Sequence, residues 1–267
     1  MIDTHAHLNF ANFQQDYQEV IKRSSIGGIK AIINVGCQWT DSQRAIQLAK
    51  QHPKYLYSAI GLHPTNTQQE EFSLEEYWRL AAHSSVVAIG ETGLDYYHLP
   101  ANNQSEVIAL QKKIFLEHLA LARKLNLPVI IHCRNAHQNI TKQNAYVDLI
   151  ELLKENDYPI TGVIHCFSAD WLTAQKFLKL GFYLGFNGPI TFKNVSPELL
   201  EVIAKIPLGR ILTETDSPYL APEPYRGQRN EPIYTRYIID KIAQIRQLSF
   251  SEIEEITEAN ARRLFKI

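Results

Sequence analysis

Short apolar runs alternate along the chain with longer stretches whose apolar residues recur every three or four positions. The runs cover residues 1–7, 30–36, 56–63, 86–95, 128–133, 161–166, 182–187 and 210–216 and are rich in Val and Ile. Continuous apolar runs of that length predict buried parallel strands. The stretches between them predict helices over 16–26, 41–51, 73–83, 105–126, 145–156, 171–180, 197–205 and 234–246, with an extra helix over 249–263 at the end. In 105–126, Val107, Leu110, Ile114, Leu121 and Leu125 trace one helical face. Ser73 with Glu76, and Ser249 with Glu252, have the spacing of a capping box. Eight strand–helix alternations predict an α/β protein, a (β/α)8 TIM-type barrel occupying residues 1–267 as one domain. The competing fold, an open doubly wound sheet, carries a Gly-rich phosphate loop after its first strand, and here His5-Ala6-His7 stands in that place.

Those two histidines open the question of chemistry. His5 and His7 are read as closing the first predicted strand, Glu91 the fourth, and His132, His165 and Asp216 the fifth, sixth and eighth, all six at carboxyl ends. The carboxyl ends of barrel strands form the catalytic face. Residues two apart on a strand share a side, so His5 and His7 both aim into the barrel mouth. Glu214 lies one pleat below Asp216, and Arg134 shares a side with His132. Four imidazoles and two carboxylates exceed the needs of one tetrahedral ion. The economical arrangement is two divalent ions bridged by Glu91, the geometry that clamps the attacking and leaving oxygens of a hydrolysis. Mixed nitrogen and oxygen donors suit Zn²⁺ or Mn²⁺, and Mg²⁺ remains open as the working ion. Asp3 and Glu214 have two readings, as acceptors that orient a ligand imidazole or as buried carboxylates satisfied by backbone. His52, His83, His98, His118 and His137 read as satisfied core histidines. Cys133 and Cys166 read as small core residues facing the helices, and Cys37 as a mouth residue with nothing paired to it.

Seven segments carry a family resemblance. They are Asp3-Thr4-His5-Ala6-His7-Leu8-Asn9, Gly61-Leu62-His63-Pro64, Gly90-Glu91-Thr92-Gly93-Leu94-Asp95, Ile131-His132-Cys133-Arg134, His165-Cys166-Phe167-Ser168, Glu214-Thr215-Asp216-Ser217-Pro218-Tyr219 and Arg226-Gly227-Gln228-Arg229-Asn230-Glu231-Pro232. Taken in this order they resemble the TatD family of metal-dependent deoxyribonucleases, within the amidohydrolase superfamily. The resemblance implies two divalent metals, one on His5, His7, Glu91 and Asp216, the other on Glu91, His132 and His165. It also implies that Asp216 activates the attacking water, that the substrate is DNA, often cut from the 3′ end, and that deacylation of aminoacyl-tRNA is an alternative activity. Thr65 and Gln228 stand where the family often has His and Lys, which removes positive charge near the mouth.

On that reading His63, Arg134, Arg226 and Arg229 are candidates to hold substrate phosphate. Arg226 and Arg229 have an equal alternative as loop staples paired with Glu223 or Glu231. Tyr96, Tyr97, Phe167, Tyr219 and Tyr225 are candidates for base stacking or plain loop packing. Strand four carries Glu91 and no Lys at its end, unlike the barrels that bridge their ions with a carboxylated lysine. A binding protein with a relic site would lack ligands, and here the set is whole.

Charge sharpens the picture. The chain has 27 basic and 28 acidic residues, a net charge of −1. A non-specific nucleic-acid binder is usually basic, so DNA would be held by a few arginines and the ions alone. The sequence has three cysteines, no apolar run long enough for a membrane span and no basic-then-apolar start. The expectation is a cytoplasmic, reduced protein, with no membrane association and no obligate protein partner.

Overall fold

A computed structural model describes residues 1–136, 144–155 and 160–267. Eight parallel strands run in chain order: β1 (Ile2–Ala6), β2 (Ala31–Val35), β3 (Leu56–Ile60), β4 (Val86–Asp95), β5 (Val129–Arg134), β6 (Gly162–Ile164), β7 (Tyr183–Phe186) and β8 (Ile211–Thr213). The helices are α1 (Tyr17–Ile26), α2 (Trp39–Gln51), α3 (Leu74–Ala81), α4 (Gln104–Leu125), α5 (Ala145–Glu155), α6 (Trp171–Lys179), α7 (Pro197–Lys205), α8 (Thr235–Arg246) and α9 (Phe250–Phe265). The predicted alternation is therefore observed, and the sheet curls into a nearly closed barrel. Two features of the sequence reading, His137 and the last residue of the predicted helix 145–156, lie outside the described residues.

Among the described residues, backbone pairing across the seam between β8 and β1 occurs only at its top. Asp216 N–H donates to His5 O and His7 N–H to Ser217 O, both at 2.8 Å, and Ala6 bridges Ser217. The backbone that joins the two strands thus belongs to the residues that carry the candidate chemistry. The sequence predicts β8 to run to Asp216, but regular pairing stops at Thr213. Asp216 takes a left-handed turn, φ 58°, which Asp tolerates better than most residues.

The other end of the barrel is plugged. Ala261, Leu264 and Phe265 of α9 pack in one apolar cluster with Ile33, Ile130, Val163 and Leu212 from the strands. Asn260 Nδ2 donates to Leu208 O at 2.8 Å and Ile211 O at 2.9 Å, fastening α9 beneath β8. A full capping box of Ser249 and Glu252 starts this helix, whereas in α3 Ser73 caps Glu76 N–H alone. With the amino ends of the strands covered, side chains at their carboxyl ends face the open mouth.

His118, on α4, illustrates the cost of burying an imidazole in this scaffold. Its Nδ1 donates to Ile114 O at 2.8 Å and its Nε2 accepts from Leu62 N–H at 3.1 Å. A second ring proton would collide with that N–H. Burial therefore lowers its pKa from 6.5 to about 4, against a smaller opposing effect of the Ile114 hydrogen bond. The unfolded chain takes up the proton first, so this stability is fully present above pH 6.5 and is lost as pH falls towards 4. Over that window the wild type should lose about 3 kcal/mol relative to His118→Gln. Denaturant unfolding of both proteins between pH 7 and pH 4 measures it, and parallel stability curves would contradict it.

Candidate metal centre

Glu91 occupies the centre of the mouth, and local sequence puts it there. Pairing between β4 and β5 shifts register between Ile89 and Thr92, bulging the strand around Glu91. Gly90 and Gly93 flank it with φ of 149° and 142°. A Cβ on Gly93 would lie 2.0 Å from His132 O, and one on Gly90 2.5 Å from Ile130 O, so only glycines let β4 approach β5 this closely.

The two oxygens of Glu91 face different groups. Oε2 lies 3.3 Å from His5 Nε2 and 4.0 Å from His7 Nε2. Asp216 Oδ1 joins that group, 3.3 Å from His7 Nε2 and 3.7 Å from His5 Nε2. Oε1 lies 3.0 Å from His132 Nδ1 and 3.4 Å from both His165 Nε2 and His63 Nε2. The six residues singled out as ligands therefore converge, in two groups that meet at one carboxylate.

The groups are held from behind. His7 Nδ1 donates to Val35 O at 2.9 Å, leaving Nε2 for the mouth. Glu214 Oε1 stands 2.8 Å from His165 Nδ1. Asp95 Oδ2 accepts from His132 Nε2 at 2.9 Å and from His98 Nδ1 at 3.0 Å. Asp95 was legible as a carboxylate at a strand end, the signal that singled out the others, yet the sequence reading gave it no role. His98 is a correction: its side chain is 50% exposed on the rim and anchored to Asp95, not a core residue. Cys37 lines the mouth as expected but is not unpaired, because its Sγ lies 3.8 Å from both His7 Nδ1 and Glu91 Oε2. Cys166 lines the mouth with Sγ against Asn187 Oδ1, and does not face the helices.

For Asp3 the second of its two readings holds, a buried carboxylate satisfied by backbone. It accepts from the backbone N–H of Thr215 at 2.9 Å and of His5 at 3.2 Å, and from Thr215 Oγ1 at 2.6 Å. None of its hydrogen bonds goes to an imidazole. It ties β1 to the turn after β8, and burial raises its carboxyl to about 8 despite those bonds.

The electrostatics follow from crowding. Burial pushes Glu91 towards neutrality, but His63, His165 and His5, with the hydrogen bond from His132, hold its carboxyl well below the ordinary value. Burial disfavours charge on His132, yet its bonds to Asp95 and Glu91 raise it to about 9. His63 is lowered by burial, against the pull of Glu91. Its Nδ1 accepts from Thr65 N–H, so its proton sits on Nε2 and points at Glu91. The backbone N–H of Thr65 thus sets the tautomer of His63.

Of the four phosphate candidates, His63 and Arg134 line the cavity, whose volume is about 860 Å³. Arg229 is instead a staple. It binds Asp16 Oδ2 at 2.6 Å and Glu231 Oε1 at 3.1 Å, and Arg23 shares both carboxylates. Arg226 sits over the Phe192 ring at 4.3 Å and reaches Asn194. Neither of these two arginines is among the described lining residues. Among the aromatics, Tyr219 is exposed on the mouth and Tyr97 is exposed beneath Arg134. Tyr96 and Phe167 are buried, and Tyr225 stacks on Tyr234.

The donor set fits divalent cations. His5 and His7 present Nε2 atoms only 3.1 Å apart, and among the described residues buried His5 Nδ1 has no hydrogen-bond partner. Imidazole and carboxylate together suit Zn²⁺ or Mn²⁺, and a cation must displace protons to bind there.

A barrel with these donors at its strand ends defines a metal-dependent hydrolase. The profile of the family described as TatD related DNase matches residues 2–266. The uncharacterized metal-dependent hydrolase YabD of Bacillus subtilis is 39% identical over 269 residues, 100% of this chain and 99% of its own. The 3′-5′ ssDNA/RNA exonuclease TatD of Yersinia pseudotuberculosis is 34% identical over 272 residues, 100% of each chain. The crystal structure of YjjV, a TatD homologue from Escherichia coli K12, superposes with a TM-score of 0.88 at 31% identity, covering 100% of this chain and 98% of that one. The chain belongs to the TatD family of metal-dependent hydrolases.

Proposed function

We propose that the protein is a metal-dependent deoxyribonuclease that hydrolyses phosphodiester bonds at single-stranded or frayed 3′ ends of DNA. The observation that carries the reading is the division of Glu91 between two donor groups, Oε2 towards His5 and His7, Oε1 towards His132 and His165. On this reading His5, His7, Glu91 and Asp216 hold one divalent ion and Glu91, His132 and His165 the other. A bound pair supplies Lewis acidity and lowers the pKa of water. Asp216 takes the proton of the attacking water as the P–O bond breaks. His63, whose Nε2 faces Glu91 in the metal-free protein, lines the same cavity beside the site for the phosphate. The exonuclease name of the Yersinia relative supports the substrate class. The mouth is a pit and not a groove, which favours an end over the middle of a duplex.

Among the described residues no helix is long and apolar enough to cross a membrane. The three cysteines are free thiols, which suits the cytoplasmic setting we propose.

End-labelled single-stranded DNA, with and without Zn²⁺, Mn²⁺ or Mg²⁺, tests the reading. Metal-dependent shortening from the 3′ end is expected. With Ca²⁺ as a less reactive ion, binding should be weak without metal and show a shallow salt slope of roughly one to three. Failure to cut DNA, with turnover of an aminoacyl ester, would replace the nuclease reading by the deacylase one.

A further inference from the structure

The cavity is lopsided. With strands in chain order, the ends of β4 and β5 lie across the barrel mouth from the seam of β8 and β1. The seam side carries an aromatic lip: Phe10 stacks on His7 with ring centroids 4.4 Å apart, and Tyr219 packs edge-on against Phe10. The far side is cationic and hydrogen-bonding. Arg134 and Asp95 are directly paired across β4 and β5. The Arg134 guanidinium lies 3.7 Å above the Tyr97 ring, which fixes its plane and leaves its N–H edges for other partners. Among the described residues no carboxylate forms an ion pair with it, in contrast to Arg229 and Arg23. His98 lines the same cavity, and Asp95 holds it through Nδ1 at 3.0 Å.

Between this wall and Glu91 stand His132 and Asp95, linked by consecutive hydrogen bonds of 3.0 and 2.9 Å. Arg134 and His98 therefore sit too far out to serve the bond being cut. We propose that Arg134 and His98 form a second anion subsite, which takes the phosphate next to the scissile one while the terminal nucleoside rests on the Phe10–Tyr219 lip. The proposal rests on the phosphodiester reading above. It adds a direction to the bound strand, from aromatic lip to cationic wall, and a minimum substrate of two linkages for full efficiency. It also fits a chain of net charge −1, because a flanking phosphate held inside the mouth needs no extended basic surface.

The experiment compares kcat/KM on a thymidine trinucleotide with that on the same trinucleotide bearing a neutral methylphosphonate at the flanking linkage. Wild type should prefer the charged form by roughly 10- to 100-fold, the worth of a hydrogen bond to a charged group. Arg134→Ala should erase most of that preference, Arg134→Lys should keep part of it, and His98→Gln should reduce it in the same direction. Thermal melting of each variant checks the fold, and the wild-type comparison stands even where a variant is unstable. A wild type indifferent to the methylphosphonate, or an Arg134→Ala variant that loses equally on both substrates, would overturn the subsite. A wild type that cuts neither trinucleotide, nor longer single-stranded DNA, would overturn the nuclease reading and the subsite with it.

Discussion

Asp216→Asn is expected to lower turnover of single-stranded DNA by about 10²–10⁴-fold with the fold intact, the range a positioned general base contributes. Among the described residues three carboxylates line the mouth: Glu91, Asp95 and Asp216. Glu91 and Asp95 side chains are 4% and 0% exposed, and Asp95 is committed to His132 and His98. Asp216, at 15%, is the one that water reaches most readily. Burial alone would raise its pKa. The hydrogen bond from His7 and the charges of His165, His5 and His7 outweigh burial and hold it below the ordinary value, so it enters the reaction ionised. Asparagine preserves shape and can still offer an oxygen to a cation, but it accepts no proton near neutrality. The backbone bonds to His5 and Tyr219 that set its left-handed turn do not involve the side chain, and Asn tolerates that conformation. Kinetics at saturating metal separate the two roles: a low kcat that added metal does not restore identifies the lost base. Near-normal kcat would remove Asp216 from the chemistry.

Much of this centre was legible because barrel geometry converts sequence position into spatial position. A residue near the carboxyl end of a parallel strand lies close to the mouth: His7, His132, His165 and Asp216 line it, buried His5 comes within 3.3 Å of Glu91 Oε2, and Glu91, placed inside β4 and not at its end, reaches it through the bulge. What the rule could not supply was the conformation beyond the strand ends. β3 stops at Ile60 and β6 at Ile164, so His63 and Cys166 sit in turns where alternation no longer says which way a side chain points. Cys166 illustrates the error: its φ of 48° swings it into the mouth, where a strand would have hidden it. Long-range pairing was equally invisible. Arg229 had Glu231 within reach along the chain, but nothing local announced Asp16, 213 positions away. Asp3 had two readings, and nothing local could choose between them, because Thr215, from across the seam, claims both of its oxygens.

Glu91→Gln should reduce the metal capacity of the folded chain from two ions to at most one, and should destabilise the metal-free protein by about 3–5 kcal/mol. The two effects have one origin. Glu91 is the only carboxylate within 4 Å of imidazoles from both donor groups, among the described ion pairs. A glutamine keeps one oxygen, so it can serve one group, and its amide turns a hydrogen-bond donor towards the other. That donor meets imidazole nitrogens that must themselves be unprotonated to bind a cation. In the metal-free protein the same change removes the negative charge that stabilises buried imidazolium at His132, whose pKa stands at about 9. Asp95 continues to hold that ring from its Nε2 side, which is why the protein should weaken and still fold. Metal per chain after reconstitution and dialysis measures the first effect, and denaturant unfolding in a chelator measures the second. A wild type that never exceeds one ion, or a variant that still takes two, would reject the bridge. A metal-free variant as stable as wild type would show that the carboxylate carries no net charge pairing before the cations arrive.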